Sequence, residues 1–239
     1  MSSLLDRIVD AHGGSRWNEI ATLSATRHFG GAFWALKGVP GIAEEGRFTV
    51  DIGREHTQLF SFGDAELHSD FTPGRVEIVR SDGEVVESLD DPRSSFAGHV
   101  LTTPWNRLQL AYFTGYAMWT YNTEPRSFLL PGVVTDEVGA WTEPDGQVWE
   151  RLRVTYPSTL ATHSTTQTLY ADSDGILRRR DYEVDIAGGS PSVEYMTEQV
   201  TVDGIVVPRH REIYVRDDAG RAVPEPLIVS IDIDDIVLG

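Results

Sequence analysis

Residues 229–234 read VSIDID, with an apolar side chain at every odd position and a polar one at every even position. A period of two is typical of a β-strand that buries one face only. Working outward, the same alternation recurs from 147 to 237, and the segments between the apolar runs are rich in Gly, Asp and Ser. These turn-forming segments lie at 145–146, 172–175, 188–189, 203–204 and 218–220. The pattern predicts a large antiparallel sheet that curves around a core.

The N-terminal half carries the same signature together with two helical segments. Short strands are expected at 22–36, 47–52, 56–62, 66–72, 76–79 and 84–89, with the glycine pair at 30–31 as a bulge or bend in the first of them. Ser3 is a suitable N-cap for a helix that stops at 13–14, and an aromatic helix is expected over 105–121. The predicted fold is mainly β. One curved antiparallel sheet forms an unclosed or half barrel in a single domain, 1–239, and the two helices cover its cavity.

Composition excludes several classes of function. The chain has 37 acidic and 20 basic residues, a formal net charge of −17, which would repel nucleic acid and anionic membrane surfaces alike. It has no cysteine, so it has no disulfide and no thiolate chemistry. We find no signal-peptide pattern and no segment near the roughly 20 apolar residues that span a bilayer. We therefore expect a cytoplasmic protein that does not insert into membranes.

Three segments together resemble the bacterial lipoprotein-carrier superfamily, the LolA/LolB-like proteins. They are AHGGSRWNEIATLSAT at 11–26, LYADSDGILRRRDYEVDIAGG at 169–189 and EYMTEQVTVDGIVVPRHREIY at 194–214. The chain also resembles a narrower group of bacterial proteins that share the AHGG start, the TPW and AYFTGYAMWTY segments and the DGIVVP strand. The superfamily resemblance implies an unclosed antiparallel barrel around a hydrophobic cavity, in which acyl chains or other apolar ligands bind.

The densest group of candidate ligand-binding residues is the aromatic helix. Ligand pockets are lined mainly by aromatic and apolar groups with a few polar ones, and tyrosine and tryptophan supply both kinds of contact. Ordinary core packing would explain the same composition. The candidates are Trp105, Tyr112, Phe113, Tyr116, Trp119 and Tyr121.

Two histidines, two tyrosines and one arginine on the late strands could carry chemistry. His163 is expected to begin a strand, and His210 follows the DGIVVP segment; either could act as a general base if the strands bring them together. Tyr170 and Tyr182 are candidate proton donors. Arg180 could anchor a ligand carboxylate, or it could be held in an internal salt bridge.

No motif identifies a metal, a cofactor or a known reaction. The sequence has no HExxH, GxSxG, GxGxxG or P-loop, so neither a metal site nor a cofactor is predicted. Two hypotheses stay open: binding of a hydrophobic or amphipathic small molecule, or a cofactor-independent enzyme that acts on an apolar metabolite in the same cavity. An interaction module that uses an exposed sheet edge is disfavoured because the strands are short and charged. The oligomeric state cannot be inferred from the sequence.

Overall fold

The computed structural model describes residues 2–239, which form one antiparallel sheet of fourteen strands and three α-helices. The helices are α1 (Leu4–Ala11), α2 (Phe33–Lys37) and α3 (Arg107–Thr123). The strands are β1 (Thr22–Gly30), β2 (Glu45–Asp51), β3 (Thr57–Phe60), β4 (Leu67–Thr72), β5 (Arg75–Arg80), β6 (Val85–Asp90), β7 (Val134–Thr142), β8 (Val148–Thr155), β9 (Thr166–Ala171), β10 (Leu177–Val184), β11 (Ser190–Val202), β12 (Ile205–Arg216), β13 (Ala222–Val223) and β14 (Val229–Leu238).

The strand order shows how the chain builds the sheet. The order is β6-β5-β4-β3-β2-β1-β14-β12-β11-β10-β9-β8-β7, and β13 pairs with β12 beside this path. The chain therefore runs from the centre to one edge, crosses through α3 and returns from the other edge to the centre. There β1 and β14 pair, with Phe29 opposite Ile231. Because β6 and β7 stay at separate edges, the sheet is not closed, and the predicted unclosed antiparallel sheet is confirmed.

Alternation sets the apolar face of the sheet as the sequence predicts. Phe48 and Val50 of β2 are fully buried, and Ile231 and Ile233 of β14 lie in the same core. Val148 shares the alternation with Leu152 and Val154 of β8, which predicts burial, but it is 59% exposed. A strand buries its apolar face only where another element covers it.

The first helix covers part of the C-terminal half of the sheet. Ser3 caps it as predicted, since its hydroxyl accepts the backbone N–H of Asp6 at 3.1 Å. Leu4 and Ile8 are buried in a cluster with apolar residues of β8 to β11. The cap and the apolar stripe together define the helix and the face that it buries.

The aromatic helix is held against the N-terminal half of the sheet. Asn106 caps α3, and the helix is buried on nearly every side. Gly115 permits its closest approach, because a Cβ built there would lie 2.3 Å from Cγ of Phe71 on β4. Thr57 Oγ1 donates to the Gly115 carbonyl at 3.0 Å, and Trp119 Nε1 donates to the Asp51 carbonyl at 2.8 Å. The opposite side of α3 therefore faces the C-terminal half of the sheet.

The strand expected over 22–36 is wrong in its second half. It ends at Gly30, and the chain turns at Gly31 into α2. Gly31 has φ +97°, and a Cβ there would lie 2.4 Å from the Ile228 carbonyl oxygen. Phe33 N–H donates to that same carbonyl at 3.0 Å, which starts a short helix whose Phe33 and Trp34 pack into the core.

In the described part of the chain, none of the helices combines the length and the apolar character that a membrane span requires.

Candidate functional site

An apolar pocket, which we call the α3 pocket, lies between α3, α2 and strands β10, β11, β12 and β14. Its free volume is about 50 Å³. Its walls are mostly aromatic and branched apolar side chains. They are Phe29, Phe33, Trp34, Leu101, Phe113, Thr114, Ala117, Met118, Tyr121, His163, Tyr182, Val184, Ala187, Ser190, Ser192, Ile213, Val215, Ile228, Val229 and Ile231. Such a composition is typical of small-molecule sites.

Helix α2 contributes Phe33 and Trp34 to the wall of the pocket, and a buried lysine joins the helix to a neighbouring loop. Lys37 is fully buried, and its Nζ lies 3.4 Å from the Val100 carbonyl, 3.3 Å from the Thr103 carbonyl and 4.3 Å from the ring centroid of Trp105. Burial lowers the pKa of Lys37 to about 8. These contacts join α2 to the loop that carries Leu101, so two parts of the pocket wall are positioned together.

The polar end of the pocket is a hydrogen-bonded group, the tyrosine–histidine network, made of Tyr116, His163, Tyr121 and Tyr182. Tyr116 Oη lies 3.1 Å from His163 Nδ1, and Tyr121 Oη lies 2.8 Å from His163 Nε2. The hydroxyls of Tyr121 and Tyr182 are 2.9 Å apart. The His163 ring also stacks on Tyr182, with centroids 4.3 Å apart. Both ring nitrogens are thus engaged by phenols.

The network is uncharged near neutral pH. Burial, reinforced by the positive charges of Arg180 and Arg93, holds the pKa of His163 well below its usual value. Three hydroxyl protons and the one ring proton of neutral His163 serve three contacts. One proton is left over. It lies on Tyr182 when the hydrogen bonds donate from Tyr116 toward Tyr182, and on Tyr116 when they donate in the opposite direction. The network can therefore reverse its hydrogen bonds without gaining or losing a charge.

A carboxyl group from the N-terminal half holds the loop that carries His163. The backbone N–H of Ala161 lies 3.2 Å from Glu55 Oε1 and 3.0 Å from Oε2. Burial raises the pKa of Glu55 to about 8. The loop is thereby attached to the β2–β3 connection on the opposite half of the sheet, and His163 is placed against α3.

A second buried group, which we call the buried ion cluster, consists of Arg180, Arg211, Glu124 and Glu194. Arg180 is paired with Glu124 and its Nε lies 3.3 Å from Glu194, whereas Arg211 Nη1 lies 3.7 Å from Glu194. Neither oxygen of Glu194 has a well-aligned hydrogen bond to another described residue. Burial, with the nearby negative charge of Glu194, raises the pKa of Glu124 to about 7. Arg180 therefore contacts internal carboxylates, and it is not among the residues that line the α3 pocket.

The structure separates the four candidate catalytic residues. His163 and Tyr182 meet at the pocket, although His163 lies in the loop before β9 and does not begin the strand. His210 lies on the outer face, where its Nδ1 is 2.6 Å from Asp232, so the two histidines do not meet. Tyr170 also lies outside the pocket; its hydroxyl donates to Asp181 at 2.8 Å. Side chains on successive residues of a strand point to opposite faces, which separates Tyr170 from the core residue Leu169.

Of the six aromatic candidates from 105 to 121, some line the α3 pocket and the others pack elsewhere in the core. Phe113 and Tyr121 line the α3 pocket, and Tyr116 stands behind His163. The remaining three pack elsewhere: Trp105 beneath Lys37, Tyr112 against Phe71, and Trp119 against the β2–β3 connection.

Sequence reasoning missed the aromatic pair of α2 as part of the site. Phe33 and Trp34 line the pocket, and Trp34 stacks on Phe29 with centroids 5.4 Å apart. The available signal was the segment between Gly31 and Gly38, in which two glycines enclose two large aromatic side chains. Glycines at both ends of so short a segment favour a separate helical element over a continuous strand.

Within residues 2–239, no group of three or more His, Cys, Asp or Glu side chains is arranged to hold a metal ion.

Comparison with known proteins identifies the fold. No protein-family model matches the chain, and no curated protein matches it. Among solved structures it is similar to a LolA superfamily protein from Nitrosomonas europaea, with a TM-score of 0.54 and 10% identity over 100% of this chain and 94% of the other. It is also similar to a domain described as an outer membrane lipoprotein-sorting protein from Vibrio parahaemolyticus, with a TM-score of 0.52 and 9% identity over 98% of this chain and 90% of the other. The chain has the LolA/LolB-like fold.

Proposed function

We propose that this LolA-like chain binds a hydrophobic or amphipathic small molecule in the α3 pocket. The observation that carries the proposal is the composition of the pocket, whose mostly apolar walls include a few hydroxyl side chains and, at one end, the tyrosine–histidine network. Apolar walls favour the body of such a ligand, and a few hydrogen-bonding groups orient it. The similar domain from Vibrio parahaemolyticus is described as a lipoprotein-sorting protein, and the acyl chains of a lipoprotein belong to the same class of apolar ligand.

The free volume of about 50 Å³ is too small for a lipid chain, so binding requires part of the wall to move. We expect helix α2 to move together with the loop at 100–103 that Lys37 joins to it. The helix has only five residues and is flanked by Gly31 and Gly38, both with positive φ. A displacement of the Phe33 and Trp34 side chains would enlarge the pocket. We expect the ligand to take the place of these two side chains.

The first test is mass spectrometry of the purified protein under native and denaturing conditions. We expect a small apolar molecule that is held by the native protein and released on denaturation. A protein that carries no such molecule is then titrated with the neutral fluorescent probe N-phenyl-1-naphthylamine. Saturable binding is expected to weaken by about 10-fold in Ala117→Leu, because the added side chain fills the pocket.

Ala65→Leu is the matched control, because it makes the same change at an exposed loop position. Its affinity for the probe should equal that of the unaltered protein. Equal affinities for all three proteins would place probe binding outside the α3 pocket and would contradict the proposal.

A second candidate, a cofactor-independent enzyme, is favoured by one specific observation: a neutral imidazole lines the pocket within hydrogen-bond distance of two phenols. Because phenols engage both of its ring nitrogens, His163 would serve as the base through the hydroxyls of Tyr121 and Tyr182, and Tyr182 would return the proton to an apolar substrate. The test is chromatography and mass spectrometry of an apolar cell extract after incubation with the protein. A compound consumed by the unaltered protein but not by His163→Gln would favour the enzyme over simple binding.

A further inference from the structure

We infer that the α3 pocket selects ligands whose polar group is uncharged, such as an alcohol or a ketone, and rejects carboxylates and amines of the same length. The inference rests on the proposed binding function and makes its ligand class narrower. It follows from three observations: which side chains line the pocket, how the neighbouring charges are engaged, and how many protons the network holds.

The first observation is the absence of ionisable partners at the pocket wall. Among the described residues, no Asp, Glu, Lys or Arg lines the α3 pocket. His163 is the one lining residue of a type that ordinarily titrates near neutrality, and burial holds its pKa well below that range, so it is uncharged. An ion buried without an opposite charge loses its hydration and gains nothing comparable in return. An anionic or cationic head group would therefore be disfavoured at this site.

The second observation concerns the charged groups just outside the pocket. Arg180 is paired with Glu124 and Glu194, and Arg93 donates to the Thr162 carbonyl at 3.0 Å and to Asp185 at 3.1 Å. Arg211 Nη2 donates to the Tyr121 carbonyl at 2.6 Å. Arg180 Nε and Arg211 Nη1 have no aligned hydrogen-bond acceptor, but they lie 3.3 Å and 3.7 Å from the Glu194 carboxylate, whose negative charge a ligand carboxylate would meet there. Lys37, beside Phe33, has two backbone carbonyls as partners. None of these four cations lines the pocket.

The third observation is that the network can serve either kind of neutral group. Tyr182, at the end of the chain of hydrogen bonds, has a free proton when the chain runs from Tyr116 toward it, and it keeps a free lone pair when the chain runs the other way. A ketone would accept a hydrogen bond from the free proton of Tyr182, and an alcohol would donate a hydrogen bond to its free lone pair. A neutral head group of either polarity is therefore satisfied without a buried charge.

The test compares 1-dodecanol, below its solubility limit, with dodecanoate and dodecylammonium, each below its micelle concentration, by calorimetry and by the fluorescence change expected from Trp34. The titrations use about 1 M NaCl, where the Debye length is about 3 Å, so that the net negative charge of the protein does not decide the result. At pH 7.5 we expect the alcohol to bind about 100-fold more tightly than either ion. Dodecanoate should bind more tightly as the pH falls from 8 to 6, whereas the affinity for the alcohol should stay constant.

Tyr182→Phe provides a second readout, with Tyr214→Phe on the outer strand face as the matched loss of a hydroxyl. We expect Tyr182→Phe to weaken dodecanol binding by about 10-fold and Tyr214→Phe to leave it unchanged. Equal, pH-independent binding of the alcohol and either ion would overturn the inference and leave the proposed function standing. If none of the three probes binds to the unaltered protein, both fail.

Discussion

The tyrosine–histidine network and the buried ion cluster are neighbours beside α3, and they stabilise buried polar groups in opposite ways. The network is neutral, and each ring nitrogen of His163 has a phenol within hydrogen-bond distance. The cluster contains two guanidinium groups and two carboxyl groups, and Glu194 is held by ionic contacts alone. Tyr121 belongs to one group and touches the other, because the guanidinium of Arg180 lies 4.7 Å from its ring centroid. The tyrosine–histidine network borders the α3 pocket and the buried ion cluster does not. The buried charges are therefore kept away from a ligand in the pocket.

The largest effect is expected from breaking the charged group. Arg180→Met leaves Glu124 and Glu194 buried without their main partner, and we expect a loss of about 3–5 kcal/mol in the free energy of unfolding, measured by urea denaturation. Arg178→Met is the control. Arg178 is partly exposed and pairs with Asp172 at 2.7 Å, so its loss should cost less than about 1 kcal/mol. Equal costs for the two variants would show that burial does not make the ion cluster more important to stability than a partly exposed ion pair.

Breaking the neutral group should cost less. Tyr121→Phe removes the hydroxyl between His163 Nε2 and Tyr182 Oη, and we expect about 1–3 kcal/mol of destabilisation, since two buried polar atoms lose a partner. Tyr214→Phe on the outer face should change the free energy of unfolding by less than about 0.5 kcal/mol. If Tyr121→Phe were as mild as its control, the network would not contribute to the stability of the fold.

The pH dependence of stability should separate the two groups by sign. The pKa of His163 is lowered in the folded state, so its contribution is present above about 6.5 and is lost as the pH falls. The pKa of Glu124 is raised to about 7, so its contribution is present below its unfolded value of about 4.5 and is lost as the pH rises through 7.

Measured between pH 5.5 and 6.5, the stability of the unaltered protein relative to His163→Gln should rise with pH. The stability relative to Glu124→Gln should fall with pH. Each slope is limited to about 1.4 kcal/mol per pH unit, because one proton is involved. Slopes of the same sign would show that one of the two groups has been assigned the wrong protonation state.

The smallest effect is expected at His210, which lies outside both groups. Burial alone would lower the pKa of His210, but the carboxylate of Asp232 raises it above its usual value. Because the pair is partly exposed, His210→Ala should cost less than about 1 kcal/mol at pH 6 and should leave probe binding unchanged. A variant that lost probe binding would place His210 within the functional site.

Local pattern explains why much of the fold could be predicted and why α2 could not. The period of two along β2 and β14 follows directly from a sheet with one buried face, and Ser3 with Leu4 and Ile8 defines α1. Phe33 and Trp34 favour strand as readily as helix. Their helix forms because the carbonyl of Ile228, far along the chain, accepts the N–H of Phe33.

The site was less accessible than the fold because its geometry depends on long-range packing. The period of two places Pro208, Glu212 and Tyr214 on the same strand face as His210, but their mixed polarity does not reveal on which side of the sheet that face lies. The meeting of His163 with Tyr116 and Tyr121 requires the loop before β9 to pack against α3. No local pattern encodes that contact, nor the pairing of Arg180 with Glu124. The roles assigned to these side chains stay predictions.

The pairing of β1 with β14 at the centre of the sheet makes this chain a natural candidate for fragment complementation. A break between the exposed residues Pro131 and Gly132 would give one fragment with β1 to β6 and α3 and another with β7 to β14. The first fragment supplies α2 and α3 to the pocket, and the second supplies His163, Tyr182 and the apolar strands. A molecule in the pocket would contact both fragments and favour their association by mass action. Reassembly of the two pieces could thus report ligand binding without any knowledge of what the ligand is.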